Sequence, residues 1–259
     1  MPTKTYVFTN IKGGVTKTTT TVNIGHGLAQ TGRKCLVIDA DHQCNSTLAL
    51  LGKMQDERAG TFYEVMMNRR PVKEMIQRTP YENLDIVQGS MWLSNANTQL
   101  AAQYGRENIL RNALDGITSY HYILIDTPPN SELITVNSWV ASDGLVITMT
   151  PSLFAMTGIR ILEIQLEEIR KQTRKPYPIF GVVISLDDHT NKSATRISQI
   201  REYFGARVFK TVIPKNVKVE MATDEAVPIY DYAPGSTGAN AYAELVSEFI
   251  KRSEVTHNG

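Results

Sequence analysis

Short apolar runs rich in β-branched residues alternate along the chain with longer amphipathic stretches. That pattern belongs to strands buried on both faces of a parallel sheet and joined by crossover helices. It predicts strands over residues 4–9, 34–38, 84–87, 122–125, 144–148, 179–184 and 208–213. Helices fill most of the gaps. Ile159, Leu162, Leu166 and Ile169 recur at helical spacing, as do Tyr242, Leu245, Val246 and Phe249, so each set lays one apolar face on the sheet. Residues 54–113 are less regular and read as several short helices around one strand. With no internal repeat, low-complexity tract or linker, the expectation is a single α/β domain over residues 1–259: a mostly parallel twisted sheet with helices on both faces.

Composition narrows the class. The 259 residues, 42% of them hydrophobic, suffice for one well-buried core. No run approaches the roughly 18–20 apolar residues of a spanning helix, and residues 1–10 lack a signal pattern, so a cytoplasmic protein is expected. Cys35 and Cys44 have neither the spacing nor the number for a zinc site or a disulfide framework and read as reduced thiols. A net charge of +1 does not advertise nucleic-acid binding, but residues 170–218 hold eleven Lys or Arg against three Asp or Glu. That excess is either a basic face or a set of solvated helix surfaces.

The chemistry begins after the first strand, at Lys12-Gly13-Gly14-Val15-Thr16-Lys17-Thr18, followed by Thr19 and a helix. Glycines let backbone N–H groups turn inward around phosphate oxygens, and the helix N-terminus brings its positive dipole end to the same point. Lys17 would reach the β- and γ-phosphates of a nucleotide, and Thr18 would offer its hydroxyl to Mg²⁺. This is a P-loop, although Ile11 and Thr16 stand where the standard expression has glycine.

The stretch resembles the deviant Walker A signature of the ParA, Soj and MinD ATPases, K-G-G-x-x-K-[ST]. The resemblance implies ATP and Mg²⁺ as cofactors, a P-loop NTPase fold, and a Lys12 that crosses a dimer interface to the partner's nucleotide. Most such proteins have glycine where Thr16 stands. A β-branched residue there is strained if the backbone needs positive φ, which bears on hydrolysis more than on binding. Ile38-Asp39-Ala40-Asp41-His42-Gln43-Cys44-Asn45-Ser46-Thr47 resembles the family's first switch. Lying at a strand's carboxyl end, Asp39 would sit near the γ-phosphate to orient or deprotonate the attacking water, with Asp41 in the Mg²⁺ hydration shell. His42 replaces a usual proline and reads as a spectator. Tyr122-Ile123-Leu124-Ile125-Asp126 has the form of a Walker B strand whose Asp126 would hold Mg²⁺ through water, and Thr127 to Pro129 would form the second switch.

Ile213-Pro214-Lys215-Asn216-Val217 is similar to the family's adenine-holding segment, which implies Pro214 and Asn216 as base contacts. The strand bearing the P-loop starts at Lys4, leaving no N-terminal helix-turn-helix, and residues 250–259 hold no second amphipathic helix for membranes. The compact ParA or Soj type is therefore the best match. By resemblance, an ATP-bound homodimer binds non-specific DNA on the nucleoid through residues such as Lys192, Arg196, Lys215 and Lys218. His189 stands where relatives often have arginine. A ParB-like adaptor would then stimulate slow ATP hydrolysis and release plasmid or chromosome DNA. Positioning of another cargo, such as a carboxysome or chemotaxis cluster, and an ATP-switched scaffold with little hydrolysis are the alternatives. An amidoligase, a cluster carrier without its CxxC pair, and a membrane-recruited ATPase rank below them.

Overall fold

The computed structural model describes residues 2–54, 58–153 and 155–255; the last residues of the C-terminal stretch, 256–259, lie outside them. Among the described residues one eight-stranded sheet forms the framework, in the order β3-β4-β2-β5-β1-β6-β7-β8. Its strands are β1 (Lys4–Thr9), β2 (Cys35–Asp39), β3 (Ile76–Arg78), β4 (Leu84–Val87), β5 (Tyr122–Asp126), β6 (Gly144–Met149), β7 (Ile179–Asp187) and β8 (Val208–Pro214). The pairings are parallel except that of β3 with β4.

All seven strands expected from the apolar runs are present. Several extend past the last apolar residue at their carboxyl ends, so that Asp39, Asp126 and Asp187 fall inside the ladder. The irregular region differs from expectation, because it contributes β3 as well as β4. Ile76–Arg78 holds a single apolar residue and pairs only at the sheet edge, where one face of the alternation needs no core partner.

The helices are α1 (Lys17–Gln30), α2 (Asn45–Leu51), α3 (Phe62–Met67), α4 (Ala96–Ala101), α5 (Ile109–Ala113), α6 (Leu133–Ala141), α7 (Ala155–Thr173), α8 (Asn191–Phe204), α9 (Val217–Asp224), α10 (Ile229–Tyr232) and α11 (Thr237–Val255). They cover both faces. Successive side chains of a strand point to opposite faces, and β1 shows the consequence. Tyr6 and Phe8 pack into a core with Val22, Leu50, Tyr242 and Phe249, while Val7 joins the core of Trp139, Leu162 and Phe204. The helical stripes expected on α7 and α11 are buried as the periodicity requires. Two clusters of this size hold the central strands β2, β5 and β1 rigidly side by side, which aligns their carboxyl ends. Asp39 is in register with Asp126, and Asp126 with Phe8.

Candidate nucleotide site

Residues 10–16 turn over the carboxyl end of β1 before α1 opens. Two positions in this loop are left-handed: Gly14 at φ 70° and Thr16 at φ 60°, ψ 26°. Glycine adopts that region freely, whereas for an L-residue it costs roughly 1–2 kcal/mol. The strain expected at Thr16 is therefore real. Its side chain makes no cap on α1; Oγ1 lies 2.7 Å from the Val15 carbonyl and 2.6 Å from Ser185 Oγ at the end of β7. No acidic residue occupies the first turn of α1. Its N–H groups thus lack both a side-chain cap and a charge to complement the helix dipole, an arrangement that a phosphate completes.

Behind the loop three carboxylates converge. Asp39 is fully buried, and its Oδ2 accepts hydrogen bonds from Thr47 N (2.8 Å) and Thr47 Oγ1 (2.7 Å) on α2. Its Oδ1 accepts from Asp41 N at 3.2 Å. Asp126 is equally buried; Ser46 Oγ donates to its Oδ2 at 2.7 Å, while Oδ1 makes no close hydrogen bond. Burial, followed by the charge of Asp126, pushes the Asp39 carboxyl up to about 8. Burial also raises Asp126, and hydrogen bonds from Ser46 and Thr18 partly offset it. The buried ammonium of Lys17 lies 3.4 Å from the Lys12 carbonyl oxygen. Desolvation lowers its pKa, and the fields of Asp126 and Asp41 oppose that.

A cleft of about 630 Å³ opens beside these groups, lined by residues 13–19, Asp41 and Pro129, and extending to Val22, Asn23, Gln43, Thr223 and Val227. Most of the sequence-derived nucleotide residues are thus brought together. Asp39 and Asp126 lie buried beneath the cleft wall, and Lys12 stands outside it, exposed, with Nζ 3.2 Å from Ser152 Oγ. Pro214 and Asn216 are not among the lining residues. Asn216 caps α9, its Oδ1 accepting from Lys218 N (2.8 Å) and Val219 N (3.3 Å), and its Nδ2 donates to Thr237 Oγ1 at 2.6 Å. His42 Nδ1 rests 3.3 Å from Asp41 Oδ1.

The four basic candidates cluster at the ends of two adjacent strands. Lys192 and Arg196 lie on α8 after β7, and Lys215 and Lys218 follow β8. Lys192, Lys215 and Lys218 are exposed, whereas Arg196 is half-buried and donates from Nη1 to the Pro151 carbonyl at 3.1 Å. Lys192 and Arg196 line a groove of about 580 Å³ together with Asp188, whose carboxylate accepts from Thr190 and Ser193. Asp187 faces His189 at 3.1 Å. The basic edge is therefore interrupted by two acids.

Sequence reasoning missed Ser46, Thr47, Ser152 and Ser185. The first two lie within the first-switch segment, where residue type alone does not show which carboxylate each hydroxyl bonds, and nothing in the sequence links Ser152 or Ser185 to a lysine and a threonine far upstream.

The residues present fit MgATP. The open donors of α1, the buried Asp126 oxygen without a close partner and a cleft of nucleotide size all point to it. Among the described residues no three His, Cys, Asp or Glu side chains form a protein-only metal cage. That suits Mg²⁺, which keeps much of its water and is shared between one or two carboxylates and substrate phosphates. Thr18, Asp126, Asp39 and Asp41 would hold it, and it would supply charge neutralisation at the phosphates.

Comparison with known proteins agrees with this geometry. Residues 3–179 match the family model described as AAA domain. The sporulation initiation inhibitor protein Soj of Bacillus subtilis is 36% identical over 95% of this chain and 97% of its own length. The chromosome partitioning protein ParA of Caulobacter vibrioides is 34% identical over 97% and 95%. The apo structure of Cyanothece McdA superposes with a TM-score of 0.85 at 25% identity, covering 96% of this chain and 99% of that one. Other structural neighbours are solved with ATP, or with an ATP analogue and magnesium. A loop of this shape, carboxylates at neighbouring strand ends and relatives matched nearly end to end lead to one conclusion: the chain belongs to the ParA/Soj family of P-loop ATPases.

Proposed function

We propose that this chain is a DNA partition ATPase whose ATP-bound form pairs with a second copy across the cleft, holds DNA without regard to sequence, and releases it when a ParB-like adaptor stimulates hydrolysis. The observation that carries the reading is the position of Lys12. It sits in the phosphate loop, yet it is exposed and does not line its own chain's cleft, so its charge is available to a nucleotide held by another subunit. Its parking place on Ser152 is a single exposed hydrogen bond, easily exchanged.

In this reading Lys17 and the N–H groups of Gly13, Gly14, Val15, Thr16, Thr18 and Thr19 bind the phosphates. Thr18 and Asp126 position the metal with Asp41. Asp39 orients the attacking water once Thr47 no longer holds both its contacts, which requires α2 to move. Hydrolysis alone is slow, because phosphoryl transfer depends on positioning and charge, and charge supplied by a partner raises such rates by about 10³–10⁵. Pro214 and Asn216 remain the proposed base contacts, reached once nucleotide draws α9 toward the cleft. The assembly would act on the nucleoid in the cytoplasm. The name of the Caulobacter relative, chromosome partitioning, supports DNA as cargo.

A second reading, an ATP-switched scaffold with little turnover, is favoured by the strained Thr16 and by an Asp39 whose oxygens are already engaged. Light scattering coupled to size exclusion tests the common core of both. A dimer is expected in MgATP and a monomer in MgADP, and a monomer in both would remove the proposal.

A further inference from the structure

Thr16 is the N-cap residue of α1. At that position a threonine hydroxyl ordinarily accepts from N–H groups two or three residues on, here those of Thr18 and Thr19. Such a cap would occupy the donors that the loop offers to phosphate. In this chain the hydroxyl is turned the other way. The left-handed backbone carries Oγ1 to 2.7 Å from the Val15 carbonyl and 2.6 Å from Ser185 Oγ, and α1 has no side-chain cap. Ser185 is fully buried at the carboxyl end of β7, with Oγ also 3.3 Å from the Met149 carbonyl.

The hydroxyl protons have two consistent arrangements, and both keep the contact between Thr16 and Ser185. Val15 O and Met149 O only accept and each hydroxyl has one proton, so either Thr16 donates to Val15 O and accepts from Ser185, or Thr16 donates to Ser185 and Ser185 to Met149 O. Either way a hydrogen bond ties β7 to the side chain of Thr16 in the phosphate loop. This contact, with a longer one of 3.4 Å from Thr16 Oγ1 to Thr20 Oγ1, favours the strained left-handed threonine over the extended N-cap conformer that threonine prefers.

We propose that Ser185 is a positioning residue for ATP binding: its hydroxyl holds the Thr16 side chain away from α1 and so keeps the N–H groups of Thr18 and Thr19 free for phosphate. The role is specific to a chain with threonine in the loop, since a glycine at position 16 has no hydroxyl to divert. That gives the proposal its test.

MgATP affinity is measured by calorimetry for the wild type and for Ser185→Ala, Ser185→Thr, Thr16→Gly and the Thr16→Gly/Ser185→Ala double variant. Melting curves and amide hydrogen exchange on the nucleotide-free proteins accompany it. Ser185→Ala is expected to weaken MgATP about five- to tenfold, the size of one lost hydrogen bond. It is also expected to slow exchange at the Thr18 and Thr19 amides as Thr16 takes up the cap. Ser185→Thr keeps the wild-type affinity. In the Thr16→Gly background, Ser185→Ala changes neither affinity nor exchange. An equal loss of affinity in both backgrounds would overturn the proposal, because Ser185 would then act through Met149 and the strand. Unchanged affinity in the Thr16 background would overturn it as well. Should Ser185→Ala melt below the assay temperature, Ser185→Cys, a weak donor of similar size, reads the same contrast.

Discussion

Asp39 and Asp126 stand side by side at the ends of β2 and β5, both fully buried, and the fold holds their charges close before any metal compensates them. A carboxyl whose pKa is raised by folding keeps its proton more tightly in the fold than in the unfolded chain. The stability it contributes is complete below the unfolded value of about 4 and declines as pH rises toward the folded one. For Asp39 that window reaches to about 8. The melting temperature of the nucleotide-free protein should therefore fall from about pH 5 to about pH 8, and fall less in Asp39→Asn. Parallel curves for the two proteins would show that the carboxylate is not the cause. Lys12 yields the second prediction at this scale. Lys12→Ala should bind MgATP with wild-type affinity and lose adaptor-stimulated turnover, as read by phosphate release; normal stimulated turnover would rule out a role in the partner's site.

Among the elements, α2 and α9 decide how the site opens. α2 is fastened to both carboxylates through Ser46 and Thr47, so the helix into which the first switch runs is tied to the groups proposed to hold the metal. Thr47→Val, which removes the hydroxyl donor to Asp39, should loosen α2, seen as faster amide exchange over residues 45–51 in the absence of nucleotide; unchanged exchange would mean that Ser46 and the backbone N–H of residue 47 suffice to hold the helix. α9 begins at the Asn216 cap. Asn216→Ala should cost about 1 kcal/mol, a drop in melting temperature of about 2–4 °C. Asn216→Asp keeps the cap, so weaker MgATP binding by that variant with unchanged melting would separate base contact from capping. Elements were legible where the signal was local. The buried strands announced themselves by continuous apolar runs, and α7 and α11 by a stripe at helical spacing. β3 did not, because three residues with one isoleucine at a sheet edge carry no periodicity. Strand ends were read short because pairing continues through Asp39 and Asp126 after hydrophobicity stops. The phosphate loop and its carboxylates were legible as contiguous motifs, each explained by what a strand end or helix start can do. The hydroxyl contacts of Thr16 with Ser185 and Lys12 with Ser152 were not, since they join segments more than a hundred residues apart in sequence.

For the whole molecule, the carboxyl ends of the parallel strands gather the groups of the proposed site. The phosphate loop follows β1, the carboxylates end β2 and β5, and Lys192, Arg196, Lys215 and Lys218 follow β7 and β8. One copy presents these four basic side chains, with Asp187 and Asp188 between them. On the proposed reading, pairing two copies would double the basic surface, and nucleotide state would thereby govern DNA affinity. Non-specific binding of this kind is dominated by counterion release and lies on the order of 10⁻⁴–10⁻⁶ M at physiological salt. The most direct test is the fluorescence anisotropy of a random-sequence DNA duplex titrated with protein in MgATP, in MgADP and without nucleotide, at two salt concentrations. Binding is expected in MgATP alone, falling steeply with salt and weakened by Lys218→Ala. Equal binding in all three nucleotide states, or none in MgATP, would contradict it.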